Sequence, residues 1–148
     1  MPEQSYTKEF TVSVKPELVY KAITKEIDEW WTELSNKVLQ VGDKLTVQFE
    51  AETSWVMVVS ETIDNHSLAW QVIEANHDLQ NISVKDEWNR TTINWKIEKN
   101  KMGSKVSFTH KGLTPALECY ETCEKGWDYF LGSLKSYLDT GKGNPYKP

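Results

Sequence analysis

The chain has 148 residues, 39% hydrophobic and 26% charged, a balance that suits one domain over 1–148 with a single core and argues against disorder. A net charge of −5 with no Lys/Arg-rich block speaks against nucleic acid and anionic membrane as partners. The longest apolar runs, such as Trp55 to Val59, are too short to span a bilayer.

The N-terminal MPEQSYTKEF has no basic region followed by an apolar stretch, so it reads as lacking a signal peptide and a cytoplasmic address is expected. Phe10, Val12 and Val14 alternate with Thr11, Ser13 and Lys15, which predicts a half-buried strand over residues 6–14. Pro16 suits the first position of a helix, continued by Leu18, Val19, Ala22 and Ile23. Asp28 is placed to cap a second short helix carrying Trp30 and Trp31. Residues 34–41 read as a loop or short strand, and Gly42-Asp43 as a turn.

Leu45, Val47 and Phe49 alternate with polar neighbours and predict the second strand. Trp55 to Ile63 predicts a third, apolar on both faces in its first half, so parity alone leaves its inward set open. The longer-running register turns Trp55, Met57, Val59, Glu61 and Ile63 inward. Asp64-Asn65 makes a turn into a strand with Leu68, Trp70 and Val72. Residues 76–91 are ambiguous, with Ile82 and Val84 compatible with a strand running on to Trp88. Ile93, Trp95 and Ile97 share one face of the next strand, and Val106, Phe108 and His110 share the same face of the strand after it.

From Pro115 to Leu138 the spacing of Leu117, Tyr120, Cys123, Trp127, Leu131, Leu134 and Leu138 predicts a long amphipathic helix. The tail GKGNPYKP is turn-rich and is expected to fray. Strands in sequence with helices gathered elsewhere define an α+β protein: a curved antiparallel sheet of about six strands, two short N-terminal helices, and a long C-terminal helix over a cavity.

This order resembles the helix-grip fold of the START-like, birch-pollen-allergen-like superfamily, and within it the branch named after the activator of heat-shock protein 90 ATPase. The resemblance lies in FTVSVKPELVYKAIT, the paired Trp30-Trp31, EWNRTTINWKIE, and above all SFTHKGLTPALECYETCEKGWDYFLGSLKSYLDTGKGNP. It covers nearly the whole chain. It implies a cavity rather than a shared chemistry, since the superfamily includes lipid carriers, hormone binders, polyketide cyclases and co-chaperone domains. The eukaryotic co-chaperone also carries a separate N-terminal domain that engages the chaperone, for which this chain as read leaves no room.

The seven Trp residues concentrate the chemistry. Trp30, Trp31, Trp70, Trp88, Trp95 and Trp127 suit a pocket for an apolar or aromatic small molecule, with indole N–H groups as orienting donors. The plainer alternative is a Trp-rich core with no cavity. The expected lining is Trp30 and Trp31 at the mouth, with Met57, Trp70, Trp95, Phe108, Trp127 and Leu131 inside. His110 and Glu61 are candidate polar anchors. His110 also suits general acid or base work, against the simpler reading of a histidine satisfied by a backbone carbonyl. Glu61, if inward, needs a partner or a raised pKa, and a register slip would leave it in water. Gly126 and Gly132, inside the long helix, suggest a close approach there, most of all at Gly126 beside Trp127.

Cys119 and Cys123 lie four apart on a helix, where a disulfide would be strained, so free thiols are expected. No C-x-x-C or H-x-x-x-H spacing joins them to His66, His77 or His110, so no metal site is expected, and no phosphate loop or G-x-S-x-G elbow is present. No cofactor is expected. The leading reading is therefore binding of a lipid-like or polyketide-like molecule. The alternatives are a cyclase or dehydratase using His110 or Glu61, and a co-chaperone-like module with a chaperone as partner.

Overall fold

The computed structural model describes residues 5–38, 40–49, 53–76, 91–113 and 120–147. β1 (Tyr6–Val12) leads into α1 (Pro16–Lys25) and a single 3-10 turn (Ile27–Glu29). Then follow β2 (Lys44–Gln48), β3 (Ser54–Ile63), β4 (Ser67–Asn76), β5 (Thr92–Asn100), β6 (Gly103–Lys111) and α2 (Tyr120–Thr140). The strands form one curved antiparallel sheet in the order β1-β6-β5-β4-β3-β2. Among the described strands, neighbours in sequence pair with one another except β1, which crosses over to pair with β6 in the register Phe10 to Val106. The expected Ile82–Val84 strand, Trp88, His77, Cys119 and the first turn of the long helix lie outside the described residues.

The helical spacing works as a burial pattern. On α1, Val19, Ala22 and Ile23 are buried while Leu18 faces solvent, and Pro16 opens the helix where its missing N–H has no partner to lose. On α2, Cys123, Trp127, Leu131, Leu134 and Leu138 are buried along one stripe. The second N-terminal helix is shorter than its sequence suggests: Asp28 sits within the 3-10 turn rather than capping it, and Trp30 and Trp31 follow the turn.

Side chains bond to backbone groups at both sheet edges. At β1, Lys135 Nζ donates to the Thr11 carbonyl at 2.8 Å. Just past that strand, Asp139 accepts from the Ser13 N–H at 2.8 Å and its hydroxyl at 3.0 Å. At β2, the Asn36 amide acts as an extra strand, donating to Lys44 O and accepting from Thr46 N, each at 2.7 Å. These contacts occupy groups that would otherwise template another strand.

Two expectations about backbone and packing are corrected. In β3 the register against β4 shifts between Val59 and Glu61. That bulge reverses the side-chain parity, so Met57 and Val59 are buried but Glu61 and Ile63 are exposed. In the tail, Tyr146 N donates to Trp31 O at 2.9 Å and Glu33 N donates to Tyr146 O at 3.0 Å, a parallel bridge rather than a frayed end. The Ser133 hydroxyl ties the same region together, donating to Trp30 O at 2.8 Å and accepting from Asn144 N at 2.6 Å. Gly143 is required there because a Cβ would strike the Glu29 carbonyl.

Candidate functional site

Between the sheet and α2, aromatic rings from five parts of the chain pack together. β4 supplies Trp70, β5 Trp95, β6 Phe108 and α2 Trp127, while the stretch after the 3-10 turn brings Trp30 and Trp31. All six are buried, as are Met57 and Leu131. Cross-strand pairing explains the sheet set: Trp95 stands opposite Phe108, and their rings meet edge to face at 4.7 Å. Trp70 and Trp95 meet at 5.7 Å, and Phe108 meets Trp127 at 4.5 Å. Trp31 lies parallel to Trp70, within 5°, at 6.4 Å.

His110 is fully buried at the end of this set. Trp127 Nε1 donates to its Nδ1 at 3.1 Å, and its Nε2 lies 2.8 Å from the Thr91 hydroxyl. An indole nitrogen can only donate, so Nδ1 must carry the lone pair and Nε2 the proton. The ring is thus a neutral imidazole with a side-chain partner at each nitrogen. With both nitrogens engaged, acid–base work would first require one of these bonds to open.

Three other buried indoles divide unequally. Trp30 Nε1 donates to Ala22 O at 2.9 Å. The N–H groups of Trp70 and Trp95 are buried and have no hydrogen-bond partner among the described residues. A buried donor left unmet costs about 1–3 kcal/mol.

The structure therefore brings Trp30, Trp31, Met57, Trp70, Trp95, Phe108, His110, Trp127 and Leu131 to one buried region. It removes Glu61, whose carboxylate the β3 bulge turns to the outer face beside His66, Asn94 and Lys96. Gly126 and Gly132 mark no close approach: among the described residues a Cβ at either would meet nothing within 4 Å. Trp88 lies outside the described residues. Thr91, which holds His110, was missed because it ends a stretch with no readable periodicity. Its one signal is its place immediately before the alternating run of β5. Among the described residues no cluster of His, Cys, Asp and Glu is arranged to hold a metal, and no described helix is long and apolar enough to cross a membrane.

This architecture, six antiparallel strands gripping a long C-terminal helix, is the helix-grip fold. Residues 13–139 match the family described as Activator of Hsp90 ATPase homolog 1-like protein, and the chain belongs to that family. It is similar to the Aha1 dimer from Colwellia psychrerythraea, with 25% identity, a TM-score of 0.78, and coverage of 95% of this chain and 99% of that one. It also resembles protein MLL2253 from Mesorhizobium loti, with 20% identity, a TM-score of 0.75, and coverage of 91% and 96%. Protein SSP2350 from Staphylococcus saprophyticus follows, with 20% identity, a TM-score of 0.73, and coverage of 97% and 98%. The last two likenesses concern the fold alone. No curated protein matches the chain at a significant level.

Proposed function

We propose that the chain binds an apolar or aromatic small molecule, lipid-like or polyketide-like, between the sheet and α2. The observation that carries this reading is the pair of buried, unmet indole donors at Trp70 and Trp95. Interiors seldom leave such donors unpaired, and a site that holds an apolar ligand typically adds a few polar groups to orient it. The aromatic lining supplies large apolar contact area at low entropic cost. Membership of a family within a cavity-bearing fold supports the same reading.

Native mass spectrometry with a panel of fatty acids, flavonoids, aromatic polyketides and sterols tests it. A one-to-one adduct that saturates with one class, and that weakens in Trp127→Ala, is the expected result. An absence of saturable adducts across the panel, or a Trp127→Ala variant unchanged in both binding and stability, overturns it.

The family description favours a second reading, a contact with a chaperone of the heat-shock protein 90 type. Its test is the chaperone's ATPase rate with and without an equimolar amount of this protein. An unchanged rate removes this reading.

A further inference from the structure

We propose that residues 141–147 form a displaceable strap, which closes over the stretch carrying Trp30 and Trp31 and releases as one unit while the sheet stays folded. The device is independent of what the interior binds.

The strap is held at three places. Tyr146 N donates to Trp31 O at 2.9 Å and Glu33 N donates to Tyr146 O at 3.0 Å, around an isolated bridge to Thr32. Asn144 N donates to the Ser133 hydroxyl at 2.6 Å, and that hydroxyl gives its own proton to Trp30 O at 2.8 Å. One side chain of α2 thus joins the strap to the Trp30 carbonyl. Nearer the helix, the Ser136 hydroxyl donates to Lys142 O at 2.8 Å, and the Asn144 side-chain amide donates to the Tyr129 hydroxyl. The Tyr146 ring lies 5.6 Å from Phe49, which lies 6.3 Å from Trp31. Release therefore uncovers Trp31 O, Glu33 N and one side of Phe49.

The strap can leave because none of these bonds belongs to the six-stranded sheet. No residue from 141 to 147 is buried, and a segment with few buried contacts opens before the core does. The stretch beneath keeps its own anchors. Thr32 Oγ1 donates to Gln48 O at 2.7 Å, Gln48 N to Leu34 O at 2.9 Å, and Trp30 Nε1 to Ala22 O at 2.9 Å. A hinge is in place where α2 ends: Gly141 N closes the last turn on Tyr137 O at 2.8 Å, and Gly141 has φ +85°, which glycine adopts without strain.

Charge favours the closed position. Lys142 and Lys147 on the strap share one open cleft with Asp28, Glu29 and Glu33 beneath it. Attraction across such a cleft is screened by salt, so ionic strength sets how often the strap opens.

Amide hydrogen exchange of the full chain tests this. The amides of Glu33, Asn144 and Tyr146 should share one protection factor, about 100-fold or more below that of the β5 and β6 amides. Low urea should leave the strap's protection nearly flat while that of the sheet falls, because release exposes little surface. Raising sodium chloride from about 50 mM to about 500 mM should lower the strap's protection about threefold. Gly143→Ala prises the strap off, since its Cβ would strike the Glu29 carbonyl and press on Trp30 Cα. In G143A the three amides should lose their protection while β5 and β6 stay protected. Three unrelated protection factors overturn the single unit. Strap and sheet protection falling in parallel with urea, or a G143A chain that fails to fold, overturns displaceability. Protection that salt leaves unchanged overturns the ionic control.

Discussion

The indole N–H of Trp127 donates to Nδ1 of His110 at 3.1 Å, which decides where the imidazole proton resides. Nitrogen NMR of labelled histidine should therefore show His110 as the neutral tautomer protonated at Nε2. A signal from protonated Nδ1 would contradict the geometry. Replacing Trp127 with Phe removes the donor and leaves a buried acceptor unmet, and should destabilise the fold by about 1–3 kcal/mol beyond the lost ring area.

Trp70→Phe provides the contrast. It removes a donor that has no partner, so the loss of ring area is partly offset by relief of the unmet group. Urea unfolding of the ligand-free protein should show Trp70→Phe costing less than Trp127→Phe. The reverse order would mean that the Trp70 N–H is satisfied after all.

The tail should matter to Trp31. Truncation after Gly141 removes the Tyr146 bridge and the Asn144 bond to Ser133. The expected outcome is a lower melting temperature, a loss of about 1–3 kcal/mol, and greater acrylamide quenching of tryptophan fluorescence. Unchanged quenching would show that the tail does not hold the turn.

Acid sensitivity has a local source at Asp139. Burial pushes its carboxyl up, but Lys135 and the Ser13 N–H and hydroxyl outweigh that and leave it below its ordinary value of 3.8. A carboxyl depressed in the folded state stabilises the protein above its unfolded pKa, and that contribution is lost as pH falls through the folded one. The pair with Lys135 is partly exposed, so Asp139→Asn should cost less than about 1 kcal/mol at neutral pH. The melting-temperature gap between the two proteins should shrink below pH 3.8, and a gap that widens there would contradict the assignment.

Much of this was legible in the sequence because the strands alternate cleanly. Ile93, Trp95 and Ile97 on one strand, and Val106, Phe108 and His110 on the next, are six buried side chains placed by parity alone. β3 was not legible in the same way. Its first half is apolar on both faces, so nothing in the pattern signals the bulge after Val59, and Glu61 was carried inward by extrapolation. The His110 bonds arise from a chain reversal that brings Thr91 and Trp127 together across the fold, which no local pattern records. The tail failed for a different reason. Its turn-rich composition is that of a free end, yet its backbone groups, not its side chains, make the bonds to Trp31 and Glu33. Backbone bonding of this kind leaves little trace in residue type.

The central claim is that the unmet donors of Trp70 and Trp95 serve a bound molecule. The most direct test is the proton–nitrogen spectrum of their indole groups during titration with whichever panel compound binds most tightly. The account predicts that at least one of these two signals moves downfield and saturates at one equivalent. Saturable binding that shifts only surface residues, with both indole signals unmoved, would contradict it.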